Sequence, residues 1–238
     1  EDPWLYGRGS VDDGYGGYLS ILSILALQQH NIAHPKATFL IETCEESGSF
    51  DLPAYLDELS EVLGTPDLVV VMDSGAGDYE RLWVTTSLRG LIGGTLRVGV
   101  SKEGVHSGMA GGIIPSSFRI ARSIISRIED AKTGQILLPE LSTNISDEIQ
   151  NEAQGIADVL GENVWTDFPT LEGVEPQTPG LSEIVLSGNW RPSLSVTGVD
   201  GMPSLKDAGN VLRTHTSLKL SMRIPPGVDA DSAQAAMV

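Results

Sequence analysis

The sequence lacks long apolar runs and has almost no cysteine. No stretch approaches the roughly 18 uninterrupted apolar residues that a transmembrane helix requires. A single cysteine, Cys44, excludes an internal disulfide and leaves a reducing cytoplasm as the default location. These absences predict a soluble globular protein without a membrane span.

Positive charge is also scarce. The chain has 15 Lys and Arg against 32 Asp and Glu, which gives a net charge of -17. Binding to nucleic acid or to an anionic membrane requires clustered basic residues, and those of this sequence are scattered. The charge balance therefore argues against nucleic acid and membranes as partners, and the excess of acid is read first as a solubility feature.

The length of 238 residues suits two domains, because a domain usually has about 100 to 150 residues. The chain begins Glu1-Asp2-Pro3-Trp4, with neither an initiator Met nor the pattern of a signal peptide. We therefore expect it to begin inside a longer domain.

The first 80 residues predict an α/β fold. Short apolar runs rich in β-branched residues at 37–43 and 68–73 are typical of strands buried on both faces, as in a parallel sheet. Helical spacing of apolar residues is found at 15–29 and 52–63. Strands alternating with helices predict a mainly parallel sheet.

From residue 88 onward the pattern changes to that of a small α+β domain. Apolar and polar residues alternate over 88–100, a helical pattern covers 116–129, and a polar stretch covers 140–180. Further strand-like runs follow at 192–199 and 216–224. We predict one domain over 1–87 and a second over 88–238.

Several acids fall where the predicted strands end. Glu45, Glu46 and Asp73 follow the two apolar runs, and ligands of α/β sheets collect at the carboxyl ends of the strands. Each acid alone is more simply a helix cap or a solvated charge. Two adjacent carboxylates repel each other unless a cation lies between them, and one of the pair can bind a metal while the other takes a proton from water.

Three segments resemble a known family of enzymes. Residues 5–14 (LYGRGSVDDG), 42–49 (ETCEESGS) and 72–75 (MDSG) are similar to the metal-binding and catalytic segments of the dinuclear zinc exopeptidases and deacylases, the family of carnosinase, carboxypeptidase G and acetylornithine deacetylase. Further along the chain, five segments resemble parts of the family's inserted lid: residues 87–90, 105–108, 111–112, 210–212 and 221–226. The resemblance implies part of a zinc-exopeptidase catalytic domain over 1–87 and an inserted α+β lid or dimerisation domain over 88–238.

The resemblance also implies a role for each acid. Asp12 would bridge two zinc ions, Glu46 and Asp73 would each bind one, and Glu45 would act as general base. Zinc polarises the scissile carbonyl and lowers the pKa of its bound water toward about 7, so that a carboxylate can complete the activation.

Three residues of the lid are implied to contact the substrate. His106 would reach across a dimer interface to stabilise the oxyanion of the tetrahedral intermediate. Arg223 would pair with a substrate carboxylate, for which the planar guanidinium is well suited. Asn210 would contact the substrate as well.

Two parts of the family's site have no counterpart in this sequence. An early His-x-Asp segment and a late histidine complete the metal ligands of the family, yet the eleven residues before Asp12 and the fifteen after Arg223 contain no histidine. Gly14 also stands where many relatives have lysine. Because an all-oxygen set holds zinc weakly, we expect two zinc ions in the full-length parent and weak or no zinc binding by this chain. We therefore expect the parent protein to be the active hydrolase and this chain alone to be inactive.

The leading hypothesis is a zinc-dependent metallopeptidase, of dipeptidase or carboxypeptidase type, that cleaves an amide next to a free carboxylate through metal-activated water and dimerises through its lid. Deacylation of an N-acyl amino acid is the alternative chemistry. A competing hypothesis is a non-catalytic dimerisation or binding module, or an inactive fragment, with an incomplete metal site. A carboxylate-only magnesium or manganese enzyme would leave His106 and Arg223 unexplained.

Overall fold

A computed structural model describes residues 7, 9 and 12–238, which divide into two units, Glu1–Leu82 and Trp83–Val238. The chain start at 1–4 and part of the segment 5–14 lie outside the described residues. The fold combines helices with β-sheet, which confirms the predicted α/β class at this level.

The regular elements in the described part of the first unit are helices. They are α1 (Gly16–Gln29), α2 (Leu52–Glu58) and α3 (Ser60–Leu63), with a one-turn 3-10 helix at Glu45–Ser47. The helices predicted at 15–29 and 52–63 are confirmed. The second is divided at Leu59, whose backbone angles (φ -91°, ψ 6°) leave the helical region.

The strands predicted at 37–43 and 68–73 are not formed among the described residues of this unit. Their apolar side chains are exposed, with Ile41 68% and Val71 75% accessible. A strand exists only through hydrogen bonds to a neighbouring strand, and the two segments do not pair with each other. The mainly parallel sheet is therefore absent from the described part of this unit, although the apolar pattern that predicts it is present.

The second unit contains two antiparallel sheets with helices around them. Its elements are β1 (Gly90–Gly99), β2 (Val105–His106), α4 (Ser107–Ala110), α5 (Ser117–Ile128), α6 (Asp147–Leu160), α7 (Asn163–Thr166), α8 (Leu181–Asn189), β3 (Ser193–Asp200), β4 (Val211–Leu212), β5 (His215–Ile224) and α9 (Ala230–Met237), with 3-10 turns at Pro139–Leu141 and Leu205–Asp207. The larger sheet has the order β1-β5-β3, and β2 pairs with β4. The predicted strands at 88–100, 192–199 and 216–224 and the helix at 116–129 are confirmed.

The central strand β5 alternates between a buried and a more exposed face. Met222 and Ile224 pack with Leu141 and with Ala233 of α9. Leu218 and Leu220 pack with Ala121 of α5. Helices therefore cover one face of the sheet, while Lys219 and Arg223 point from the other.

A second cluster joins α6 to α8 through Ala153, Ala157, Val185 and Leu186. Helix α6 lies inside the stretch read as polar from the sequence. Its N-terminus is capped by Ser146, whose Oγ accepts a hydrogen bond from the Ile149 amide at 3.3 Å. All buried hydrophobic side chains of the described residues belong to the second unit.

None of the helices in the described ranges combines the length and the apolar character needed to cross a membrane.

Candidate active site

The acid pair lies in a tight turn. Glu45 and Glu46 open the 3-10 helix Glu45–Ser47, which ends at Gly48. The backbone of Gly48 is left-handed (φ 103°), a conformation that glycine adopts without strain, and its amide donates to the Glu45 carbonyl at 2.7 Å. The amide of Ser49 donates back to the Cys44 carbonyl at 3.1 Å, which closes the turn.

Other acids surround Glu45. Partial loss of water around its carboxyl is the largest cause that raises its pKa, followed by the charges of Asp73 and Glu46 and then of Glu42 and Asp12. The structure thus brings three of the predicted acids, Asp12, Glu46 and Asp73, within electrostatic reach of the fourth, Glu45. A carboxylate whose pKa is raised is a better proton acceptor, as the predicted general-base role requires.

The start of α1 contacts the segment that carries Asp73, although the two are distant in the sequence. The Tyr15 hydroxyl donates to the Ser74 carbonyl at 2.9 Å. Gly16 is buried, and a Cβ at this position would lie 3.0 Å from the Met72 carbonyl oxygen. A larger residue would push the helix away, so this glycine holds α1 against the segment that carries Asp73.

The acids do not form a complete zinc centre by themselves. Within residues 7, 9 and 12–238 no three His, Cys, Asp or Glu side chains are placed to hold one metal ion. The acids near Glu45 offer only oxygen, whereas zinc in hydrolases usually has imidazole among at least three protein ligands. The negative charge of these acids suits a cation, but a set of ligands that offers only oxygen does not fit zinc.

Cys44 is adjacent to the acids without being a reactive thiol. Its Sγ donates to Glu42 Oε1 at 3.3 Å, and this hydrogen bond is the first cause that raises its pKa. A thiol that keeps its proton is a poor nucleophile and a poor metal ligand.

His106 ends β2 and caps α4 in the second unit. Its Nδ1 accepts a hydrogen bond from the Gly108 amide at 3.1 Å. The next amide, of Ser107, donates to the Asn210 carbonyl at 2.8 Å, so the backbones at these two predicted substrate contacts are joined. The His106 ring also lines an apolar cavity of about 370 Å³, together with Val105, Met109, Ala110, Ile113 and Ile114.

Arg223 lies on the open face of the larger sheet, directly opposite Leu91 on one side and Ser193 on the other. Arg89 reaches the same place, because its Nη1 donates to Ser193 Oγ at 3.0 Å and to the Arg191 carbonyl at 3.1 Å. Burial and then the charge of Arg223 lower the pKa of Arg89. Sequence reasoning missed Arg89, whose place depends on the register of three strands.

Comparison with known proteins identifies the class. The peptidase dimerisation domain of the M20 peptidases matches residues 86–238, and the chain belongs to this family. The resemblance drawn from the sequence motifs is thereby confirmed at the level of the M20 peptidases.

The relatives are named as peptidases. The chain is 26% identical over 231 residues to "Probable di- and tripeptidase DUG2" of Saccharomyces cerevisiae, covering 95% of the chain and 24% of that protein. It is 26% identical to the "Beta-Ala-His dipeptidase" of Mus musculus, covering 94% of the chain and 46% of the relative. The "Cys-Gly metallodipeptidase DUG1" of Candida albicans is also 26% identical, with coverages of 95% and 47%. The chain thus spans about half or less of the length of these relatives.

Solved structures share the fold. Human carnosine dipeptidase 1 superposes with a TM-score of 0.69 at 22% identity, over 98% of this chain and 49% of that one. The dipeptidase Dug1p from Saccharomyces cerevisiae gives a TM-score of 0.68 at 21% identity, over 97% and 48%.

Proposed function

We propose that the protein is a peptidase of the dipeptidase type that hydrolyses the amide bond next to a free carboxylate. The single observation that carries this proposal is the gathering of acids around Glu45, whose raised pKa has the direction that a general base needs. The names of the relatives, which are dipeptidases, support the same reaction.

Each proposed step uses a group of this chain. Glu45 takes the proton of the attacking water and later returns it to the leaving amine. His106 of the partner subunit donates a hydrogen bond to the developing oxyanion, while Arg223 holds the substrate carboxylate and Asn210 contacts the substrate.

Two zinc ions remain part of the proposal for the whole enzyme: Asp12, Glu46 and Asp73 would be among the residues that hold them, and the ions would polarise the scissile carbonyl and lower the pKa of bound water. Since the acids do not complete a zinc site, we assign no step to a metal ion. The same proposal gives residues 1–87 to the catalytic domain and 88–238 to a lid that forms a homodimer, as the name of the matched family suggests.

The test is the variant Glu45→Gln, which keeps the size of the side chain and removes its basicity. We expect dipeptide hydrolysis by the full-length protein to fall by roughly 10²- to 10⁴-fold, the usual contribution of a general base. Glu58→Gln, at an exposed acid of α2, is the matched control and should retain full activity. Equal activity of Glu45→Gln and the unmodified protein would refute the mechanism.

A non-catalytic dimerisation module is the second candidate, and one observation favours it: the described residues contain no group of three side chains placed to hold a metal ion. Titration with Zn²⁺, followed by elemental analysis of the dialysed protein, separates the two. In the full-length protein, retention of two zinc ions that sustain dipeptide hydrolysis would reject the module, whereas no retention and no hydrolysis would reject the peptidase.

A further inference from the structure

The His106 ring is held by the main chain of its own turn. The Gly108 amide donates to Nδ1 at 3.1 Å. An amide nitrogen can only donate a hydrogen bond, so Nδ1 must offer its lone pair. We infer that His106 is fixed as the neutral tautomer that carries its proton on Nε2, with Gly108 as the positioning residue.

The absence of a side chain at residue 108 makes this contact possible. A Cβ at Gly108 would lie 3.1 Å from both Cε1 and Nδ1 of His106, which is closer than an ordinary van der Waals contact. Any larger residue would press on the ring. Glycine here therefore allows the imidazole to lie directly against the first turn of α4.

The backbone that carries the ring is fixed independently. His106 pairs with Val211 across the two-stranded sheet. The following amide, of Ser107, donates to the Asn210 carbonyl at 2.8 Å. With the backbone held by β4 and the ring held by Gly108, the position and the tautomer of His106 are both determined.

The catalytic meaning of this tautomer rests on the proposed function. A neutral imidazole with hydrogen on Nε2 donates to an oxyanion without first gaining a proton. Holding the donor in place before the reaction removes the cost of orienting it during the reaction.

The tautomer can be read by NMR in the unmodified protein. Long-range ¹H–¹⁵N correlations of the histidine rings at alkaline pH distinguish hydrogen on Nε2 from hydrogen on Nδ1. The chain has 4 histidines, and the signals that vanish in His106→Gln belong to His106. We expect the pure Nε2–H pattern; an Nδ1–H pattern, or nitrogen shifts averaged between the two forms, would overturn the inference.

The role of Gly108 is tested by Gly108→Ala. We expect the His106 nitrogen shifts to move toward the average of the two tautomers. The matched control is Gly155→Ala in α6, where an added Cβ meets nothing within 4 Å and the His106 signals should not change. Unchanged signals in Gly108→Ala would refute the positioning role. These spectra are recorded without any measurement of enzyme activity. If the His106 ring carries hydrogen on Nε2 and the Glu45→Gln variant stays fully active, the proposed function is rejected while this inference stands.

Discussion

Gly201, just after strand β3, shows how one backbone position can constrain the lid sheet. Its φ is 87°, and a Cβ there would lie 2.4 Å from the His215 carbonyl oxygen at the start of β5. Both the left-handed backbone and the missing side chain are therefore required. We expect Gly201→Ala to lower the free energy of unfolding by about 1–3 kcal/mol, as for other residues forced into sparsely populated backbone regions.

Denaturant unfolding of that variant is compared with Gly209→Ala. Gly209 has no atom within 4 Å of an added Cβ and no left-handed backbone, so its substitution should change stability little. Equal midpoints for the two variants would show that the close approach at Gly201 is not restrictive.

Asp229 at the start of α9 makes stability depend on pH. Its Oδ1 accepts the Ser232 amide at 2.9 Å, and its hydrogen bonds to Ser232 lower its pKa. A carboxyl whose pKa is lower in the folded state stabilises the fold above its ordinary pKa of about 3.9 and loses that contribution as pH falls through the folded value. Asp229→Asn keeps a capping oxygen but does not titrate.

We therefore expect the unmodified protein to lose more stability than Asp229→Asn between pH 6 and pH 3, as measured by thermal unfolding at each pH. An identical loss in the two proteins would mean that this cap does not contribute through its charge.

Candidate site residues can be named from the sequence because the residue types themselves suggest the chemistry. Acids next to apolar runs, and Glu45 and Glu46 side by side, are visible in a linear chain. The position of the Arg89 side chain is not visible in this way, because its contacts with Ser193 and its closeness to Arg223 arise only when three strands pair in one register.

At the scale of elements, β5 carries the core of the lid. Met222 of β5 is fully buried in the cluster that includes Ala233 of helix α9. We expect Met222→Ala to cost about 2–5 kcal/mol, because the substitution removes buried apolar surface and leaves a cavity. Lys219→Ala on the exposed face of the same strand should stay within about 0.5 kcal/mol of the unmodified protein. The free energies are measured by urea unfolding, on condition that the dependence of the free energy on urea has the same slope in each protein. A cost of Met222→Ala below that of Lys219→Ala would contradict the assigned core.

Periodicity predicted the elements whose apolar residues are large and evenly spaced, such as α5 and β5. It failed for α6, whose buried face combines two alanines, at 153 and 157, with Ile149 and Ile156 inside an otherwise polar stretch. The error at 37–43 has another cause. An apolar run indicates that a segment can form a strand, but only a neighbouring strand can supply the hydrogen bonds of that strand.

At the scale of the whole molecule, burial is concentrated in one unit. Each buried hydrophobic residue described belongs to 83–238, while Val69, Val70 and Val71 are 69%, 66% and 75% exposed. Two units with such different burial should open with different free energies, and amide hydrogen exchange reports this opening segment by segment.

We expect the slowest exchange in β5, because this central strand is hydrogen-bonded on both sides. Amides at 37–43 and 68–73 donate no hydrogen bond among the described residues, so they should exchange close to the rate of an unstructured peptide. Both predictions are read from one mass-spectrometric experiment, in which β5 serves as the internal reference. If 68–73 were as protected as β5, its amides would have partners beyond those described. The apolar run that suggests a buried strand would then fold as the sequence predicts, with Asp73 at the end of that strand.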